Sequence, residues 1–457
     1  MDRRRFLRQL AIAASTPALS VSSGVVAAEA GALRSDPERI LDLPDGYHYK
    51  IVSRAGDRMS DGLSVPYAHD GMAAFPGDNG RIVLVCNHEI GPGRFERSAF
   101  ADLQGAIPQA VHSRIYDQGG GKTPGCGGTT TIIFDPQTGT NERQHLSLAG
   151  TELNCAGGPT PWGSWLSCEE CFEKPGHDLS SAKLVQRDKW HGYVFEVSAY
   201  DEGAVDPIPI KAMGKFAHEA AAVHEPSGIV YMTEDHYQSL FYRYIADVPG
   251  KLHKGGRLQA LGIDERAPFA THNWSQDTLM ASGESFTTRW IDLDNVDPDN
   301  DDLQLRGAAK GAATFARGEG LCATAEEFVF TCTIGGAARL GQVFAYRPSP
   351  HEGLPGEQDA PGQLTLIAEA TPESVLRNAD NLTFAPWGDL ILCEDTANHC
   401  GLIGIRADGS QYQLADNPYS NSELAGVCFS PDGKTLFVNI QYPGMMLAIT
   451  GPFPSRT

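Results

Sequence analysis

Several side chains with metal-ligating chemistry sit at the ends of short apolar runs in this chain. In order they are Asn87, His88, Glu89, Cys155, Glu169, Glu170, Glu219, Glu234, Asp235, Glu319, Asp380, Asn381, Glu394, Asp395, Glu423 and Asn439. Carboxylate, amide and carbonyl oxygens suit a hard cation such as calcium. Glutamate, imidazole and one thiolate suit a transition metal such as iron. Gathered in one place without cations, so many carboxyl groups would repel one another or stay protonated. Polar residues also cap turns and strand ends, so no single member of the set is diagnostic. Cys155 is followed by Ala156-Gly157-Gly158, which lets backbone or a ligand come close. A buried structural thiol is the commoner role for such a cysteine. Arg317 stands two residues before Glu319. Its planar fork suits a phosphate or carboxylate, and an ion pair with Glu319 is the simpler use.

The elements that must position these groups are hairpins. Six times, a polar cluster leads into an apolar strand, a turn, a second apolar strand and another polar cluster. Their limits are His69 to Glu89, Asn154 to Glu170, His218 to Asp235, Arg317 to Thr333, Asp380 to Asp395 and Glu423 to Asn439. Pro and Gly mark most of the turns, as in Pro226-Ser227-Gly228 and Pro431-Asp432-Gly433. A hairpin begins and ends at the same edge of its sheet, so a radial set brings every polar tip to one face. Thr129–Asp135, Gly192–Val197, Leu240–Ile245, Gln342–Arg347 and Leu402–Ile405 supply outer strands. Four strands per unit and six units make an all-β, six-bladed β-propeller. The long stretches Gly91–Gly127, Cys171–Trp190 and Leu252–Ala313 read as loops inserted over the active-site face.

The 457 residues, with 50 Gly and 29 Pro, fit a turn-rich β protein. Residues 1–30 read as a twin-arginine signal peptide. Arg3-Arg4-Arg5-Phe6-Leu7-Arg8 precedes a weakly apolar stretch too short to span a membrane, and Ala28-Glu29-Ala30 offers a cleavage site. That assigns 31–457 to a single propeller domain, exported folded by the twin-arginine machinery to the periplasm or beyond. The remainder has 32 basic and 55 acidic residues, a net charge of −23. That balance excludes a nucleic-acid surface. No other segment reads as a membrane span. Gly119-Gly120-Gly121-Lys122-Thr123 lacks the spacing and strand-to-helix setting of a phosphate-binding loop, and His218-Glu219…His224 lacks the i, i+4 spacing of a zinc-protease helix. There is no G-x-S-x-G elbow.

Taken together, the motifs resemble the PhoX-type alkaline phosphatases, bacterial enzymes exported by the twin-arginine route. The resemblance rests on Cys86-Asn87-His88-Glu89, Asn154 through Glu170, Phe216-Ala217-His218-Glu219, Tyr231 through Asp235, Arg317-x-Glu319-Gly320, Asp380-Asn381-Leu382, Cys393-Glu394-Asp395 and Phe429 through Gln441. It implies a propeller holding ferric iron and calcium at its axis, hydrolysing phosphate monoesters. It implies iron on Cys155, metals served by Glu89, Glu219 and Glu319, and Arg317 on the phosphate. The full set of expected ligands is Glu89, Cys155, Glu169, Glu219, Glu234, Glu319, Asp380, Asn381 and Glu394, with Arg317 and Glu319 as catalytic residues. Gly318 replaces a proline usual in the family, and Tyr442 stands where a histidine commonly follows Gln441. The expected partner is a small phosphate ester, and the expected state a monomer. Two rival readings are a calcium-dependent lactonase or arylesterase propeller and a non-catalytic metal-binding propeller.

Overall fold

The computed structural model describes residues 32–454 except 104–106, 179–183, 265, 268, 276–278 and 325. The signal-peptide reading of residues 1–30 lies outside the described residues. No helix among the described residues is long and apolar enough to cross a membrane.

All six hairpins form as antiparallel pairs. Their first strands are His69–Pro76, Asn154–Pro159, His218–His224, Gly318–Ala323, Ala379–Phe384 and Leu424–Phe429. Their second strands are Ile82–His88, Ser164–Glu169, Ile229–Glu234, Phe328–Cys332, Leu390–Glu394 and Leu436–Ile440. In five of the turns a glycine takes positive φ: Gly80, Gly163, Gly228, Gly388 and Gly433. An L-residue pays a steric penalty there, so the turn chemistry was legible.

The six first strands touch one another in cyclic order, each packed against the first strand of the next hairpin, and the ring closes between Leu424–Phe429 and His69–Pro76. Small residues make this approach possible. A Cβ on Gly71 would lie 2.5 Å from the Ala156 Cα, one on Gly320 2.6 Å from the Asp380 carbonyl oxygen, and one on Gly426 2.3 Å from the Asp70 carbonyl oxygen. Outside this ring the apolar core is divided into layers between neighbouring sheets. One layer joins Ala73 and Val83 to Trp165 and Phe195; another stacks Tyr231 and Phe241 on Phe330, Phe344 and Tyr346. Each such fully buried aromatic contributes about 2–3 kcal/mol by leaving water.

The molecule is therefore all-β and propeller-like, but the sheets are not six equal units. Three sheets have four strands, one has three, one has nine, and a two-stranded ribbon stands apart. The nine-stranded sheet arises because Ser285–Asp292 pairs with Gly256–Ile263 on one side and Gln363–Glu369 on the other. The stretch Leu252–Ala313 is thus not merely an inserted loop; it carries an outer strand and this bridging strand. The three-stranded sheet ends at Val194–Ser198 because the following chain contains Pro207 and Pro209, which lack the N–H a ladder needs. An isolated bridge between Phe195 and Pro209 is all that forms there. His48–Arg54, from the start of the described chain, pairs with Met445–Thr450 and completes the last sheet.

Candidate metal centre

Two positions in each hairpin are directed toward the axis, and the backbone decides which. Every first strand carries a β-bulge at the same place, after its first or second residue: between His69 and Met72, Asn154 and Gly157, His218 and Ala221, Gly318 and Leu321, Ala379 and Leu382, and Ala425 and Cys428. A bulge re-aims the side chain beside it. In five hairpins the residue entering the bulge is Asp70, Cys155, Glu219, Glu319 or Asp380. The second position follows the end of the second strand: Glu89, Glu170, Asp235, Thr333, Asp395 and Gln441. Its N–H donates back to the carbonyl just before the first strand. These bonds run from Glu89 to Ala68 (2.9 Å), Glu170 to Leu153 (2.9 Å), Asp235 to Ala217 (3.1 Å), Thr333 to Arg317 (3.0 Å), Asp395 to Asn378 (2.9 Å) and Gln441 to Glu423 (3.3 Å). Four of the accepting residues, Ala68, Leu153, Arg317 and Asn378, have φ of 46° to 52°. That left-handed backbone costs a non-glycine residue about 1–2 kcal/mol, and here it lies beside the site, where strain of this kind concentrates.

Most of these positions open on one cavity of about 720 Å³. Asp70, Glu89, Cys155, Glu170, Glu219, Arg317, Glu319, Asp380, Asp395 and Glu423 line it, with Gln441, Tyr442, Arg94 and Arg97. Three groups within it each have their ligand atoms within 4.8 Å of one another: Cys155 with Glu170 and Glu219, Asp70 with Glu89 and Glu423, and Glu219 with Glu319 and Asp380. Glu219 belongs to two of the three. Gln441 Nε2 donates to both Asp70 Oδ2 (3.0 Å) and Glu89 Oε2 (2.6 Å), fixing that pair. The Cys155 thiol lies 3.3 Å from the His218 carbonyl oxygen and 3.7 Å from that of Glu219.

Burial and mutual repulsion dominate the electrostatics. Burial, then the charge of Glu89, holds the Asp70 carboxyl far above the usual carboxylate range. Glu170, Glu219, Glu319, Asp380 and Glu423 are raised for the same two reasons, burial first and neighbouring carboxylates second. Burial pushes Glu89 up to about 7 and the Cys155 thiol well above its ordinary value. Arg317 is held charged by a two-pronged bond to Asp235, Nε and Nη2 each 2.8 Å from a carboxylate oxygen. Its Nη2 is also 3.0 Å from Glu319 Oε1, but without hydrogen-bond alignment, so this buried oxygen has no hydrogen-bond donor. A buried carboxylate oxygen without a donor, among crowded acids and one thiol, is a donor set that cations would satisfy. The residues therefore fit hard cations, with one soft donor suited to a transition metal.

Of the residues expected from sequence, Glu89, Cys155, Glu219, Arg317, Glu319 and Asp380 come together here. Glu169, Glu234, Asn381 and Glu394 do not line the cavity. Each of these glutamates is the last residue of its second strand and closes its own blade. Glu169 accepts from the Gly192 and Tyr193 N–H groups and from His191; Glu234 from Leu240 N–H and the Tyr242 hydroxyl; Glu394 from the Arg377 and Gly401 N–H groups. Asn381 is the second residue of the bulge, donates to Asp380 and accepts from Gly426 N–H. The residue after each of these glutamates faces the other way, so Glu170 and Asp395 line the cavity and Asp235 meets Arg317. The expected ligand set omits Asp70, Glu170, Asp395 and Glu423, although the last three stand among the hairpin-end candidates; all four line the cavity. The signal available for Glu170 and Asp395 was the acidic doublet itself, whose second member had equal claim. Of the three long insertions, only the one after Glu89 contributes described residues to the cavity wall.

The family model described as alkaline phosphatase PhoX matches residues 28–123 and 128–444. No curated protein matches the chain. Among solved structures, Pseudomonas fluorescens PhoX in complex with vanadate, a transition state analogue, is similar with 20% identity and a TM-score of 0.64, covering 92% of this chain and 97% of that one. At that identity the likeness bears on fold, and it supports a propeller-like β architecture. A structure described as that of a gluconolactonase aligns with 12% identity and a TM-score of 0.39 over 93% of this chain and 100% of that one, too loose to carry an argument. A match over nearly the whole chain makes this protein a member of the PhoX alkaline phosphatase family, and a phosphatase acting on phosphate esters.

Proposed function

We propose that the cavity is a mixed centre of ferric iron and calcium at the axis of a six-bladed propeller, and that phosphate monoesters are cleaved there. The blade count follows the six first strands that touch in a ring, with Ser285–Asp292 taken as a bridge between two blades. The ligands we assign are Glu89, Cys155, Glu219, Glu319 and Asp380, joined by Asp70, Glu170 and Glu423. Cys155, the one thiol in the cavity, favours iron in its group; the all-carboxylate groups favour calcium. Such ions, when bound, polarise phosphoryl oxygens and acidify water.

The protein's own part is positioning and charge. Asp235 and Glu319 hold Arg317 from one edge, leaving Nη1 with no partner among the described residues. That nitrogen is the one we assign to the phosphoryl oxygens, where charge rises in the transition state. Glu319 orients Arg317 and serves the metals. The observation that carries the reading is this convergence of acids and one thiol upon a pinned arginine. We further assign residues 31–457 to one domain, monomeric, and residues 1–30 to export by the twin-arginine route into the periplasm or beyond, on the Arg3-Arg4 motif. The test is elemental analysis and an absorption spectrum of exported protein, followed by p-nitrophenyl phosphate hydrolysis with and without chelator. Calcium without iron, or hydrolysis indifferent to chelation, would overturn it.

A further inference from the structure

Two cations at the cavity wall take no part in the scheme above. Arg94 and Arg97 belong to the segment that follows Glu89, with a short 3-10 turn at Phe95–Arg97. Arg317 is tied to Asp235 and Glu319, whereas no carboxylate pairs with Arg94 or Arg97 among the described residues. That is unexpected at the edge of a cavity lined by eight carboxylates, in a protein where acids greatly outnumber bases. The backbone that carries them is nonetheless fixed, and so is the Arg97 side chain. The Arg97 N–H donates to the Arg94 carbonyl (2.8 Å), and the Arg97 carbonyl accepts from Tyr67 N–H (2.9 Å). The Arg97 guanidinium lies 5.3 Å from the centre of the Tyr442 ring, which itself lines the cavity. That contact with the ring and hydroxyl of Tyr442 restrains the guanidinium while leaving further N–H groups for an anion. Arg94 is exposed and Arg97 half-buried, so both face an incoming molecule.

We infer that Arg94 and Arg97 form a specificity site for the leaving group, favouring phosphate esters or anhydrides whose leaving group carries a second anionic group, a phosphate or a carboxylate. The inference rests on the reading of the cavity as the place of hydrolysis. A dianion reaching bound cations and Arg317 would extend its leaving group outward, past the segment that carries these two arginines. A neutral aromatic leaving group gains nothing from them beyond general attraction; a second phosphate gains a forked partner.

The experiment compares metal-loaded wild type with Arg94→Gln/Arg97→Gln on three substrates: p-nitrophenyl phosphate, a nucleoside triphosphate and a phosphorylated hydroxy acid. We expect kcat/KM on one or both polyanionic substrates to fall at least tenfold more than on p-nitrophenyl phosphate, through KM rather than kcat. Loss on the triphosphate alone assigns phosphate, and loss on the hydroxy acid alone assigns carboxylate. Equal losses on all three, or none on any, would overturn the site. Equilibrium binding of a non-hydrolysable nucleoside triphosphate analogue, in low and high salt, gives a second readout. Wild type should bind at least tenfold tighter at low salt, and the difference should shrink as salt rises. Should p-nitrophenyl phosphate go unhydrolysed by wild type, the placing of hydrolysis in this cavity fails, while the binding measurement still decides the arginines.

Discussion

Removing the metal ions should steepen the loss of stability as pH rises, and Glu89→Gln should show how. Burial first, and then Asp380, Asp395 and Asp235, hold Glu89 near 7 in the fold against 4.5 in an unfolded chain. Between those values the folded carboxyl keeps its proton and the unfolded one releases it. This contribution is complete below 4.5 and is lost as pH rises through about 7. Its size is about 3 kcal/mol for this one group. A chain of this length unfolds with an entropy of roughly 0.9 kcal/mol/K, so Glu89 alone lowers the melting temperature by ~3–4 °C between acid and neutral pH. Other raised carboxyls in the cavity act in the same direction. With cations bound the same groups are ionised and paired, so the loaded form loses far less. The assay is thermal unfolding of chelated and metal-loaded protein from pH 5 to 8. Glu234, pushed to about 8, and Glu394, pushed to about 7, lie outside the cavity and slope both forms equally. In the chelated state Glu89→Gln should flatten the curve by up to one proton, about 1.4 kcal/mol per pH unit. Parallel curves for chelated wild type and Glu89→Gln across that range would refute the reasoning.

Three further outcomes are expected. Cys155→Ala should lose iron by elemental analysis, and any visible absorption with it, while keeping native circular dichroism; full activity in that protein would remove Cys155 from the centre. Arg317→Lys keeps the charge but not the fork to Asp235, and should lower kcat/KM roughly 10²–10³-fold, the cost of one misplaced transition-state donor; an unchanged kcat/KM would exclude Arg317 from the chemistry. Glu170→Gln should weaken metal binding with little loss of apo stability, whereas Glu169→Gln should keep the metals and cost about 3–5 kcal/mol, because His191 is left without one of its two buried carboxylate partners; metal titration beside denaturant unfolding separates the two.

The hairpins were legible because each strand is a short apolar run and most turns end in a glycine that the backbone needs. The clustering of their tips was legible too, since Glu89, Cys155, Glu219, Glu319 and Asp380 do meet. What failed was parity. In Glu169-Glu170, Glu234-Asp235 and Glu394-Asp395, successive side chains point opposite ways, and which one reaches the axis depends on where the second strand stops. That end is set by pairing with the bulged first strand, and a bulge leaves no mark in the apolar pattern. Asp70 opens its strand as Cys155, Glu219, Glu319 and Asp380 open theirs, and only the shared bulge register shows that it is their counterpart. The closure of the last sheet by His48–Arg54 joins residues some four hundred positions apart, beyond any local signal. The bridging strand Ser285–Asp292 was hidden in a stretch whose length suggested a loop.

The same geometry explains why cations in this site would act together. Glu219 supplies ligand atoms to the group that includes Cys155 and to the group that includes Glu319. Glu319 in turn lies against Arg317, and Arg317 is fixed by Asp235. A cation in the first group ionises Glu219, which lowers the cost of ionising Glu319 only if a second cation accompanies it; otherwise the new charge repels Glu319 and Asp380. Occupation of one group would therefore favour occupation of the next. An acidic protein can then present a net attractive surface to a phosphate dianion, because the charge that would repel it has already been spent in holding cations.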